Sequence, residues 1–232
     1  MKKDFADFYD QISSQKGAKE RANSVLKYVK KLGLKPKNIL ELGVGNGNVI
    51  KNMPKNSNIY GLDVNKRFLK LAKNKNPKMI SVHSSMHNFN INEEFDLIYS
   101  VFDSINFLEN FTQWKQTFKT VKKHLSKDGL FIFDMYTQKM LEQEKNNSPS
   151  YFEERFGYVL NKGEVNKNTL TWNFKIFEKQ KSNDYKLWEE LFEERIYSQE
   201  RVEKELKKYF KILDKQVMDD DLRILYVLKN GK

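Results

Sequence analysis

The stretch NILELGVGNGNVI, residues 38–50, constrains this chain more than any other part of it. A short apolar run, Asn38–Leu42, carries Glu41 near its end and is followed by Gly43, Gly45 and Gly47, then by residues able to enter a helix. That order predicts a buried strand, a tight glycine-rich turn and a helix. Glycine permits positive φ and lets a ligand approach the main chain without meeting a Cβ, and the start of a helix offers unpaired N–H groups. A turn of this kind suits a small polar ligand.

Spacing separates two kinds of ligand. A dinucleotide fold uses G-x-G-x-x-G, with the third glycine packing helix on strand; here the third glycine comes one residue early. With Glu41 two positions before Gly43, the string E-L-G-V-G-N-G resembles motif I of the class I S-adenosylmethionine-dependent methyltransferases, (D/E)-x-G-x-G-x-G, and the small-molecule branch in particular. The resemblance implies that Glu41, Gly43 and Gly45 hold S-adenosylmethionine. It also implies a doubly wound, mostly parallel seven-stranded Rossmann-like sheet with an antiparallel last strand.

The rest of the chain is consistent with one such α/β unit. Residues 57–63 (SNIYGLD) read as a second strand ending in Asp63, about where a nucleoside fold places the carboxylate that accepts ribose hydroxyls, about 20 residues past its glycines. Asn65 is the natural cap of the helix that follows. Residues 79–83 read as a third strand, with His83 in the strand core, and residues 95–101 as a fourth. Residues 111–125 form an amphipathic helix, SKDG turns, and residues 130–134 (LFIFD) make a fifth strand. In the resembling family the adenine lies against a D-(M/L/A) pair; this chain has Ser85 and Met86 there, a hydroxyl in place of a charged acceptor. The family resemblance also implicates Val64 beside Asp63. Val101 and Phe102 are implied at the sulfonium, immediately before a segment, DSINF, similar to the family's D-S-(L/I)-N-(Y/F). Asp103, Ser104 and Asn106 would hold that loop or face the acceptor.

Two aromatic residues are candidates for the acceptor side. Phe8-Tyr9-Asp10 is similar to the Y-Y-D start of many small-molecule methyltransferases, where a tyrosine closes over the cofactor, so Tyr9 is implied as catalytic; Tyr9 as a mere hydrophobic staple of the first helix, residues 18–32, stands equally open. Tyr136 and the histidines 83, 87 and 124 are the other groups able to move a proton, with His124 more simply a helix-end dipole contact. No spacing suggests a metal.

From residue 136 to 197 the pattern changes. A helix-like piece, residues 138–144, precedes alternating stretches at 169–177 and 185–197, separated by a turn at 181–184. These read as antiparallel strands, with Trp172, Phe174 and Ile176 on one face and Thr171, Asn173 and Lys175 on the other. The expected organisation is a cofactor-binding core, residues 1–135 and 198–232, with an inserted β-rich cap or substrate subdomain at 136–197, placed on the carboxyl-end side of the sheet. Its apolar face would cover the substrate, form a contact between two copies in a homodimer, or make the subdomain's own core. A helix over residues 198–209 and paired strands at 210–217 and 222–228 close the chain.

Composition sets outer limits. With 232 residues the chain can bury a full core. Cysteine is absent, which excludes disulfides and thiolate sites. No run approaches the roughly 18 apolar residues of a membrane span, and the start MKKDFADFYD has no apolar leader, so a soluble cytoplasmic protein without a membrane partner is expected. The net charge of +11 is compatible with RNA, but the excess is dispersed lysine and reads better as solvated surface. The expected function is methyl transfer to an amine or hydroxyl of a small molecule; the alternatives are an RNA methyltransferase, or a non-catalytic protein that binds S-adenosylmethionine.

Overall fold

The strands gather into two sheets whose meeting line holds the residues of interest. The structure, a computed structural model, describes residues 4–182 and 184–231; Asn183, in the expected turn, lies outside them. Two helices come first, α1 (Phe5–Ile12) and α2 (Gln15–Lys31), followed by β1 (Asn38–Leu42), β2 (Asn58–Asp63), α3 (Lys66–Lys75), β3 (Ile80–His83) and β4 (Phe95–Ser100). Then come α4 (Phe111–His124), β5 (Leu125–Tyr136) and α5 (Gln138–Asn146). Four strands follow: β6 (Ser150–Glu154), β7 (Gly157–Asn166), β8 (Thr169–Lys179) and β9 (Tyr185–Arg195). The chain closes with α6 (Gln199–Leu206), β10 (Phe210–Met218) and β11 (Arg223–Asn230).

The larger sheet has the order β10-β11-β5-β4-β1-β2-β3. Neighbours from β5 to β3 are parallel, and only β11 runs against both of its neighbours. Alternation along each strand sends side chains to opposite faces. Phe131, Phe133 and Met135 of β5 thus join Trp114, Phe118 and Val121 of α4 and Val202 and Leu206 of α6. Leu130 and Ile132 join Ala22, Val25 and Val29 of α2 on the other face. Both faces are covered, so the central strands are nearly continuous apolar runs, as in doubly wound folds.

The second sheet, β6-β7-β8-β9, is wholly antiparallel. Its β9 packs on the 3-10 turn Ser104–Phe107 beyond the carboxyl end of β4, and Asn106 ties the two by donating from Nδ2 to the Arg195 carbonyl at 2.9 Å. α1 fills the angle between the sheets. Its Phe8 packs with Val159 and Ile176, and its Phe5 ring lies 4.6 Å from Phe192 and 5.4 Å from Phe174.

Several local expectations are corrected. No α-helix follows the glycine turn: only the 3-10 turn Ile50–Asn52 forms, because Pro54 forces Met53 into extended backbone and β2 begins soon after. The SKDG segment is not a separate turn. β5 is continuous from Leu125, and its pairing slips from Phe95↔Leu125 to Leu97↔Leu130, so that residues 126–129 are absorbed as an irregularity. His83 is exposed rather than core, since β3 is the edge strand. The sequence pattern does not mark β6 and β7: polar residues and glycines occupy most of their positions, and Val159 is the one large apolar residue of the pair that is fully buried.

Candidate active site

β1 and β2 run side by side, Glu41 opposite Gly61, and end together at Leu42 and Asp63. The chain leaving β1 turns back on β2: the Gly43 and Val44 N–H groups both donate to the Leu62 carbonyl, at 2.8 and 2.9 Å. Gly43, Gly45 and Gly47 have φ of +75°, +50° and +75°, where L side chains are strained. Their surroundings differ. A Cβ on Gly43 would lie 2.7 Å from Ser104 Cβ, and one on Gly47 would lie 2.8 Å from Ala72 Cα of α3, whereas one on Gly45 would meet nothing within 4 Å. Asp63 completes this turn. Its Oδ2 accepts from Gly45 N at 2.8 Å and its Oδ1 from Asn65 N at 2.9 Å. Burial pushes this carboxyl upward, moderated by those main-chain donors. Each oxygen keeps lone-pair capacity for a further donor.

Glu41 lies beneath the turn, 2% exposed, and accepts from the hydroxyl of Tyr99, its register partner on β4, at 2.8 Å. Burial pushes its carboxyl up to about 8, with the Tyr99 bond opposing and the Asp63 charge adding to the rise. The folded chain therefore holds a proton that the unfolded chain releases near the usual glutamate value, and stability falls as pH rises from about 4.5 toward about 8. Glu41→Gln keeps the shape and the acceptor. It is expected to flatten that slope and raise the melting temperature at pH 9; an unchanged pH dependence of thermal unfolding would contradict the assignment.

The second half of the site lies beyond β4. Phe102 and Asp103 both adopt left-handed backbone, φ 57° and 53°, without being glycine. The buried Asp134 at the end of β5 holds them, accepting from Phe102 N at 3.1 Å and Asp103 N at 2.6 Å. Arg223 of β11 donates from Nη1 to Asp103 at 2.5 Å and to Asp134 at 3.1 Å, donates from Nε to Asp219 at 3.1 Å, and lies 4.4 Å over the Tyr136 ring. Tyr9 of α1 faces the same group: burial first, and then the Asp103 charge, push its phenol up to about 12, with Arg223 opposing. Burial and Asp103 likewise hold the Tyr136 phenol well above its ordinary value. Strained backbone of this kind persists only where its surroundings fix it, and it concentrates at functional sites.

α1 links the two halves. Asn46 donates to Asp10 at 2.9 Å and to Ser13 at 2.6 Å, Asn48 donates to Ser13 at 3.1 Å, Arg67 Nε donates to Asp7 at 2.8 Å, and Lys75 pairs with Asp10. The helix therefore closes over the glycine turn on one side and meets the small sheet on the other.

The remaining sequence candidates are dispersed. Met86 packs beside the glycine turn, its Cε 3.7 Å from where a Gly43 Cβ would be. Val64 is 64% exposed. Ser85 engages His87 through Oγ and Nδ1 at 2.6 Å. Val101 is buried in the core on the α2 side, and Phe102 lies under Arg21 at 5.5 Å. Of the histidines, His83 bonds the Val64 carbonyl, and His124 bridges the Thr120 carbonyl and Ile91 N. Ser104 and Asn106 hold the loop: Ser104 Oγ donates to the Val101 carbonyl at 2.8 Å and Asn106 accepts from Tyr136 N at 3.1 Å. No metal-ligand cluster occurs among the described residues.

Comparison with known proteins decides what kind of fold this site belongs to. A family model described as a methyltransferase domain matches residues 39–129, from β1 into β5. This chain carries a methyltransferase domain. The fold of the whole chain is shared with an S-adenosylmethionine-dependent methyltransferase from Clostridium acetobutylicum ATCC 824, at 28% identity, 98% coverage of both chains and a TM-score of 0.86. CalS10 from Micromonospora echinaspora, an amino pentose methyltransferase whose structure contains S-adenosylmethionine, has the same fold at 13% identity, covering 100% of this chain and 98% of its own, with a TM-score of 0.79. A Geobacillus sp. (strain WCH70) protein whose name proposes a methyltransferase is 28% identical over 139 residues, 57% of this chain. The match spans 56% of that curated relative, about half its length. The methyltransferase domain has the class I, Rossmann-like arrangement, and the glycine turn, Asp63 and the β4 strand lie inside the matched span.

Three residues that the sequence reading passed over are central here: Asp134, Glu194 and Arg223. Arg223 is hidden in a lysine-rich chain, and nothing in its neighbours marks it. Glu194 had a signal. Along β9 the residues Trp188, Glu190, Phe192 and Glu194 share one face, and of its two carboxyls Glu190 is exposed while Glu194 is buried, so the alternation marks the face of Glu194 but not its depth.

Proposed function

We propose that this chain transfers a methyl group from S-adenosylmethionine to an amine or hydroxyl of a small-molecule acceptor. The observation that carries this reading is the pairing of Gly45 with Asp63: a left-handed glycine with open space beside it, and a carboxylate held by that glycine's own N–H. Asp63 would accept the ribose hydroxyls, the Gly43–Gly45 main chain would lie along the cofactor, and Met86 would supply apolar contact. Glu41 acts from below, fixing the turn. When bound, the cofactor supplies an electrophilic methyl group on a sulfonium. The chain's own task is then to orient an acceptor and exclude water.

The acceptor side falls to Tyr9, Tyr136 and the segment at 136–197 acting as a cap, because this segment and α1 meet beyond the carboxyl ends of β4 and β5, where doubly wound folds bind ligands. The amino pentose methyltransferase among the similar folds supports a small acceptor. An RNA acceptor rests only on the net charge of +11.

Asp63→Ala tests the reading. Two hydrogen bonds to a charged group, each worth about 1.5–3 kcal/mol, would be lost, so calorimetry should show cofactor affinity at least about tenfold weaker. Unchanged affinity in a folded variant would sink the assignment. No helix among the described residues is long and apolar enough to cross a membrane.

A further inference from the structure

Where the small sheet meets the large one, four buried acidic or basic side chains come together from four separate elements. Asp103 follows β4, Asp134 ends β5, Arg223 begins β11 and Glu194 belongs to β9. Glu194 is 1% exposed, and its Oε2 has no hydrogen-bond partner. Its neighbours are the Asp103 carboxyl and the Trp172 indole of β8, with Arg223 and Tyr136 close enough to interact electrostatically. Tyr9 approaches the same group from α1. An orphaned carboxylate oxygen at such a depth is costly unless something else satisfies it.

The charge count shows what is missing. Asp103 and Asp134 face one guanidinium, and Asp219, which also contacts Arg223, is matched by Arg21. One carboxylate is therefore in surplus even with Glu194 uncharged. Burial and Asp103 do hold the Glu194 carboxyl well above its ordinary range. A buried surplus of negative charge among aromatic rings (Tyr9, Tyr136 and Trp172) is complementary to one class of ligand, a cation with N–H donors.

We propose that this cluster receives the methyl acceptor as an ammonium ion, held by Asp103 and Glu194, and that Glu194 is the group that takes its proton. The inference rests on the methyltransferase reading and narrows its acceptor from amine or hydroxyl to amine. As the ammonium enters, its positive charge releases the proton that burial keeps on Glu194, and that proton leaves to water; in the step itself one N–H bond of the ammonium then breaks and one O–H bond forms on the Glu194 carboxylate. The nitrogen is left with the lone pair that a methyl acceptor requires. After transfer the positive charge resides on the methylated nitrogen, and the proton on Glu194 passes to water as the product leaves. Glu194 is thus a catalytic residue in this scheme, whereas Asp134 and Arg223 are positioning residues that fix Asp103.

Trp172 provides a reporter independent of turnover. The chain has three tryptophans, so 15N-labelled protein gives three indole signals at most, and the one that disappears in Trp172→Phe is assigned to Trp172. Titration with methylammonium chloride should shift the Trp172 signal saturably, while methanol or sodium chloride at equal concentration should not. Glu194→Gln should weaken the methylammonium response at least tenfold, and Glu194→Asp should restore part of it; circular dichroism verifies that each variant is folded. A Trp172 signal that ignores methylammonium, follows methanol or salt equally, or responds unchanged in Glu194→Gln overturns the proposal. In parallel, labelled S-adenosylmethionine is offered with amines and their hydroxyl counterparts. Turnover confined to amines supports the inference, and turnover confined to hydroxyls overturns it while leaving methyl transfer standing. A saturable ammonium response in a protein that fails to bind S-adenosylmethionine would instead support the cation site and defeat the broader functional reading.

Discussion

Arg223→Met is expected to lower stability by about 3–5 kcal/mol, because it removes one partner of a buried ion-pair network and leaves the others uncompensated. Methionine fills much of the same space, so the loss is chiefly electrostatic. Asp103 and Asp134 are both buried, and the Asp134 carboxylate also holds the left-handed Phe102–Asp103 backbone. At about 2–4 °C per kcal/mol for a chain of this size, the melting temperature should fall by about 10 °C. The defect should shrink on mild acidification, as the stranded carboxylates take up protons. Thermal unfolding followed by circular dichroism measures both effects. A melting temperature within a degree or two of the parent would show that the network contributes nothing.

The second large effect separates two glycines that look alike in the sequence. Gly47→Val forces a branched side chain into left-handed backbone and drives its Cβ to within 2.8 Å of Ala72 Cα in α3, which has to move. The backbone strain of about 1–2 kcal/mol and overpacking of about 1–3 kcal/mol act together, so a loss of about 2–5 kcal/mol is expected. Gly45→Val carries the backbone strain alone, since its Cβ enters open space. Its stability should drop by only about 1–2 kcal/mol, yet binding of S-adenosylmethionine should be abolished in a titration that detects millimolar affinity. A Gly45→Val protein that still binds the cofactor tightly would mean that the open space is not the cofactor's.

The fold was largely readable because its signals are local. Glycines after an acid-bearing apolar strand, acids at strand ends and alternation at 169–177 each act within a few residues. The half of the site built on β1 and β2 shares this property: Glu41, Gly43 and Gly45 lie within five positions, and Asp63 closes the adjacent strand. The half beyond β4 does not. Asp103 and Arg223 are separated by 120 positions, and each is an ordinary charged residue until β11 is laid against β5. The missing helix after the glycine turn is the opposite case: the pattern allowed one, and a proline seven residues past Gly47 removed the room for it.

The position of α1 has a consequence for how the chain assembles. At eight residues it is too short to be a stable helix in isolation. Its contacts reach forward to Asn46, Arg67 and Lys75, and to Trp188, whose ring lies 5.5 Å from that of Phe8. None of these surfaces is in place until β2, α3 and the small sheet have formed. The first helix in the chain is accordingly among the last to dock, since closing such long loops precedes any gain from the contacts. Its amide protection in a refolding experiment would rise late and report that both sheets are complete.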